Sequence, residues 1–83
     1  MKWIDVKERL PDKEGEYLVI SKWTRPIILI RRYSFDLSKV SKIDFFDKVG
    51  VAGWYGYDYE VGYHIERDIV AWMELPEIPE KWR

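Results

Sequence analysis

His64 is the only histidine in the chain and the one side chain whose ordinary titration falls near neutral pH, and it stands among Glu60, Glu66 and Asp68. A histidine beside a carboxylate is the pairing that general acid–base chemistry uses, so a small enzyme or ligand-binding site would draw on His64 with one of these acids. No activated nucleophile accompanies it. The four serines, Ser21, Ser34, Ser38 and Ser41, lie in no nucleophile-elbow context, and the chain has no cysteine. Read without a partner group, His64 is a lone loop or surface histidine, and no residue is assigned as catalytic.

Asp58-x-Glu60 and Glu66-x-Asp68 are carboxylate pairs that could bind a hard cation through oxygen. A calcium loop starting at Asp58 fails, because Gly62 occupies its fifth position and Ile69 its twelfth. One histidine and no cysteine leave no zinc set either, so no metal is expected. Gly50-x-x-Gly53-x-x-Gly56 lacks the lysine and hydroxyl residue of a phosphate loop and the spacing of a dinucleotide loop, so no cofactor is expected. These acids read as solvated strand or loop charges and the glycines as loop punctuation.

Charge is uneven along the 83 residues although the net is only −1. Residues 22–48 carry seven basic and three acidic groups, and residues 49–83 carry three and seven. Complementary neighbouring strands explain this directly, with Arg31 or Arg32 facing carboxylates between Glu66 and Glu74. The sharper alternative is a basic face of Lys22, Arg25, Arg31, Arg32, Lys39 and Lys42 that meets an acidic partner or nucleic acid. The net negative charge and the lack of any Asn or Gln to read adenine edges argue against nucleic acid.

The segment Trp54-Tyr55-Gly56-Tyr57-Asp58-Tyr59-Glu60-Val61-Gly62-Tyr63 is aromatic at half its positions. Tyrosine and tryptophan supply rigid amphipathic contact area, and glycine lets the backbone present it, a combination suited to recognition. Trp54, Tyr55, Tyr57, Tyr59 and Tyr63, with Arg31 and Arg32 nearby, are therefore the candidate binding residues. The competing reading is a strand pair whose alternate aromatics Tyr55, Tyr57 and Tyr59 fill the core or coat one sheet face.

The elements that must position these residues are mostly strands in a single domain, residues 1–83, since so short a chain supports one core. Asp5-x-x-Glu8 favours one helical turn that Pro11 cuts short, and Asp12 to Gly15 reads as a turn. Glu16 to Lys22 is apolar on both faces at Tyr17-Leu18-Val19-Ile20, as in a central strand. After a reversal at Trp23 to Pro26, Ile27 to Phe35 makes the second strand of a hairpin. Asp36 to Ser41 is a loop or one helical turn, Ile43 to Val49 a third strand, and Arg67 to Glu74 another central strand. Leu75 to Arg83, with Pro76 and Pro79, is extended.

The expectation is a mainly β (β-rich α+β) domain. It is a twisted antiparallel sheet of four to five strands, with closure toward a small barrel left open and one or two short helical turns. The apolar runs, such as Ile27 to Ile30 and Ile69 to Met73, are far too short to span a bilayer, so a soluble cytoplasmic protein is the default. The absence of Asn and Gln and a charged fraction of 35% point in the direction of thermophilic proteins.

Trp3-Ile4-Asp5-Val6-Lys7-Glu8-Arg9-Leu10-Pro11 and Trp72-Met73-Glu74-Leu75-Pro76-Glu77-Ile78-Pro79 bracket the chain. They resemble the opening Trp-Ile-x-Val-x-x-Arg-Leu-Pro and closing Trp-Met-Pro-Leu-Pro-x-x-Pro motifs of the domain-of-unknown-function family 551. Glu74 stands where that family usually has proline. The resemblance implies a domain type and a phage or prophage origin, and it transfers no catalytic residue. Physically, an indole near each end can pin both terminal segments to the sheet. The functional expectation is a non-enzymatic protein-binding or adaptor module that presents residues 54–63 to a host or phage protein. Pairing of a free sheet edge with a second copy is also open.

Overall fold

The computed structural model describes residues 2–40, 51–60 and 62–83. At its centre lies the strand with apolar residues on both faces. That strand, β2 (Gly15–Ser21), pairs antiparallel on one side with β3 (Ile27–Ser34) and on the other with β6 (Ile69–Glu74). β1 (Ile4–Asp5) lies outside β6, while β4 (Gly53–Asp58) and β5 (Gly62–Glu66) lie beyond β3. The order is β1-β6-β2-β3-β4-β5, a single six-stranded sheet.

The sheet has six strands where four to five are expected from sequence. Residues 4–5 are too few to show a period, and the aromatic segment divides into most of one hairpin. β1 and β5 are the sheet's two ends and do not join, so the sheet is open rather than a barrel. The helical content of the described residues is two single 3-10 turns, Leu37–Lys39 and Glu80–Trp82. Asp36 starts the first, its carboxylate accepting from the Ser38 amide at 3.0 Å. Asp5 likewise starts a turn, but its carboxylate accepts from the Lys7 amide at 2.8 Å, and Glu8 contributes its own amide to the Asp5 carbonyl. The strand expected at Ile43 to Val49 lies outside the described residues.

The two-residue period of each strand sorts side chains onto an inner and an outer face. Register places Tyr17, Val19, Tyr33, Trp54 and Trp72 together on the inner face, and a shift between Ile20 and Ser21 brings Ile69 opposite Ser21 to join them. Val19 is fully buried. Around it the rings meet edge to face: Tyr17 with Trp72 at 5.2 Å, Tyr17 with Trp54 at 5.9 Å, and Tyr33 with Trp54 at 4.9 Å. Such pairs add about 0.5–1.5 kcal/mol each beyond the area they bury. Ile4 and Val6 cover one end of this cluster.

The two bracketing tryptophans behave differently. Trp72 is buried and its indole N–H donates to the Arg9 carbonyl at 2.9 Å, while the Arg9 guanidinium lies 5.2 Å from its ring centroid. Trp3 is only half-buried. Pinning therefore rests chiefly on Trp72, which ties the segment after β1 to the sheet.

Replacing Trp72 by Ala should lower stability by about 3–5 kcal/mol in urea denaturation, as for a buried ring. Trp72→Phe should recover most of that while leaving the Arg9 carbonyl without its donor. Burial holds the Tyr17 hydroxyl above its ordinary 10.0, with the charges of Asp12 and Glu74 adding to it, and burial does the same for Tyr33. Both raised groups keep their protons more tightly folded than unfolded. Their contribution is thus intact below pH 10.0 and lost as pH climbs through the folded values. Unfolding midpoints compared at about pH 8 and about pH 11 should fall at the higher pH, and Tyr17→Phe should flatten that fall.

Candidate functional site

β4 and β5 form a hairpin that pairs over its whole length, from Trp54 opposite Glu66 to Asp58 opposite Gly62. At its turn Gly62 has φ +79°, which favours glycine, and the Asp58 carboxylate accepts from the Glu60 amide at 2.7 Å. Alternation along this hairpin splits the aromatic segment between the two faces. Trp54, Gly56, Asp58, His64 and Glu66 point inward, whereas Tyr55, Tyr57, Tyr63 and Ile65 point outward.

Of the candidate binding residues, Trp54 is thus a core residue, 6% exposed, and is removed from the surface set. Its odd-numbered offset from Tyr55, Tyr57 and Tyr63 carries that information, and grouping all five aromatics as one binding set obscured it. Tyr55, Tyr57 and Tyr63 form a cluster on the outer face, with Tyr63 5.2 Å from Tyr57 and 6.3 Å from Tyr55. Arg32 lies opposite Tyr55 on the same face. Tyr59, 93% exposed, stands alone at the hairpin tip. The outer face continues across β3 and β2 through Ile28, Ile30, Leu18 and Ile20, with Ile28 62% and Ile30 51% exposed. These aliphatic residues were missed as site candidates, although the run 17–20, apolar on both faces, signals a second face that needs cover.

Arg31 departs from the tyrosine face as well. From β3 its side chain crosses the inner side of β4 to β5, where Nε donates to Glu66 Oε1 at 2.9 Å. The same oxygen lies 2.6 Å from His64 Nε2. Gly56 makes the crossing possible: a Cβ there would sit 2.5 Å from Arg31 Cδ and Nε. The expected charge complementarity between β3 and the acidic C-terminal part is thus realised across an intervening strand, by a long side chain passing over a glycine.

His64 meets one requirement of an acid–base site, a carboxylate within hydrogen-bond reach, and lines an open cleft of about 640 Å³. Its other nitrogen, Nδ1, faces the Gly62 carbonyl oxygen at 3.2 Å. Both ring nitrogens are therefore turned toward oxygens of their own hairpin. Glu60 lies exposed at the tip, and the Asp68 carbonyl accepts from the Lys22 amide at 2.9 Å. What Arg31, Glu66 and His64 do together is hold the hairpin at a fixed distance from β3. Among the described residues no group of three or more histidine or acidic side chains could hold a metal ion, and no helix is long and apolar enough to cross a membrane.

The architecture is that of a small open-sheet β domain with one face buried and one bearing tyrosine and isoleucine. A family model for proteins of unknown function, DUF551, matches residues 2–80, and the chain belongs to that family. No curated protein and no solved structure matches it significantly.

Gly56→Ala should destabilise by about 1–3 kcal/mol through displacement of Arg31. In an Arg31→Ala background the same change should be neutral or stabilising, since alanine ordinarily gains about 0.5–1 kcal/mol over glycine in a strand. A four-protein denaturation cycle reads the difference. Equal effects in both backgrounds would mean that Arg31 does not cross at Gly56.

Proposed function

We propose that this chain is a non-enzymatic protein-binding or adaptor module, and that its binding surface is the outer face of the sheet. The observation that carries the reading is the set of exposed Tyr57, Tyr63, Ile28 and Ile30 on one sheet face, which no described element covers. Domains normally bury their sheet faces in layers, and large exposed apolar patches mark interaction sites. Arg32 at the border of the patch supplies a polar anchor of the type enriched in protein interfaces. A host or phage protein in the cytoplasm is the partner class this reading names, consistent with the mobile-element origin that the family motifs suggest.

The cleft beside His64 favours a second reading, a small-ligand site in which Arg31, His64 and Glu66 form the polar wall. The engagement of both ring nitrogens within the hairpin makes it the weaker of the two.

Pull-down of tagged protein from the source lysate, with mass-spectrometric readout, tests the first reading. The comparison variant is Tyr57→Ala/Tyr63→Ala, which leaves the Trp54 anchor intact and should keep its native circular dichroism. A partner held by the wild type and lost from the folded variant is the expected result. Retention by the variant would contradict the assignment of the outer face.

A further inference from the structure

The pairing of β3 is unequal on its two sides. β2 pairs with it from Ile27 to Tyr33, but β4 pairs only with Arg32, Tyr33 and Ser34. Beyond Tyr55, β4 runs on through Gly56, Tyr57 and Asp58 paired with β5 alone. The sheet is therefore forked, and among the described residues no strand pairs with the β4 side of Ile27 to Arg31. Most buried backbone groups find partners, and an unpaired strand edge is a template for another strand.

The side chain of Arg31 marks the open edge. Besides its bond to Glu66, its Nη1 donates to the Ile30 carbonyl at 2.8 Å. That guanidinium occupies the place of a backbone donor from a neighbouring strand. Because backbone groups on one side of a strand recur every second residue, the N–H and C=O of Ile28 share the open side with those of Ile30.

Concave surface lies on both faces of the fork. On the inner side is the cleft of about 640 Å³, with Trp23, Ile27, Leu29 and His64 in its wall. On the outer side is a smaller hollow of about 350 Å³ lined in part by Ile30, Tyr55, Tyr57 and Tyr63.

We infer that this fork is a strand-addition site that accepts an extended segment of a partner protein between β3 and the β4–β5 hairpin. The inference rests on the outer-face reading above and names its mode of binding. A backbone repeat is what an open edge recognises, and the two hollows take alternate side chains of the guest. The guest is about four residues long, matching Ile27 to Ile30 of β3 beyond the Arg31–Gly56 contact, with apolar side chains at successive positions facing Ile27 and Leu29 on one side and Ile30 and Tyr57 on the other. It displaces Arg31 Nη1 from the Ile30 carbonyl, while the Nε bond to Glu66 keeps the hairpin in place. A fork bounded on both sides admits a lone segment with two free edges. The end strands β1 and β5 of a second copy each already have a neighbour attached on one side, so they fit it poorly.

The probe is a displayed library of random linear peptides panned against the whole chain, with the strongest binder synthesised and titrated. Amide hydrogen exchange by NMR is then compared with and without that peptide. The expected result is an enriched peptide with consecutive apolar residues that slows exchange at Ile28 and Ile30 at least about tenfold. Ile28→Pro, which removes one donor from the open side where proline is tolerated, should weaken binding about tenfold or more while the fold persists.

If Ile28→Pro unfolds, the exchange comparison on the wild type decides alone. A peptide whose binding needs Tyr57 and Tyr63 but leaves the Ile28 and Ile30 amides unprotected would overturn strand addition and keep the outer-face reading. A peptide indifferent to both sets, or protection of these amides by self-association without peptide, would overturn the inference. So would failure to enrich any peptide, and the lysate capture above would then decide the outer-face reading separately.

Discussion

Burial of Trp54 is the constraint on which the arrangement of this domain depends. Its ring packs against Tyr33 and Tyr17, and through Tyr17 the contact reaches Trp72. β4 is held to the rest of the sheet by three residue pairs only, so the indole anchors the hairpin where the backbone ladder is short. With Trp54 fixed inward, strand alternation places Tyr55 and Tyr57 outward and Gly56 inward. A one-residue slip would invert all of them.

From that parity follows the electrostatic brace. Gly56 inward opens a path for Arg31, which reaches Glu66 on β5, and His64 closes on the same carboxylate oxygen. Carboxylate, guanidinium and imidazole are each more than half shielded from water, so their contacts are stronger than those of fully exposed pairs. The residues that at first sight could do acid–base chemistry thereby serve to hold a hairpin apart from β3. The fork that results is what gives the outer tyrosines a strand edge to work beside.

Much of the fold was legible in the sequence because central strands announce themselves. The runs 17–20 and 69–73 are apolar at consecutive positions, and both emerged in the middle of the sheet. The tryptophan of the second bracketing motif proved a pin, as a large indole near a chain end suggests. Less legible was β1, whose two residues have no period to read and whose pairing with Ala71 and Trp72 is decided by tertiary contact. The candidate site was legible only in part. Composition located the tyrosines, but assigning them to the outer face and Trp54 and Arg31 to the inner required knowing the strand parity, and nothing local to Arg31 signals that it passes over a glycine on another strand.

The parity itself is open to direct measurement by nuclear Overhauser spectroscopy on the isotopically labelled chain. Cross-peaks should join the Trp54 indole to the rings of Tyr17 and Tyr33, and Tyr63 to Tyr57, with none between Trp54 and Tyr57. Contacts from Trp54 to Tyr57 or Tyr63, with none to Tyr17 and Tyr33, would place the indole on the outer face and contradict the account of both the core and the binding surface.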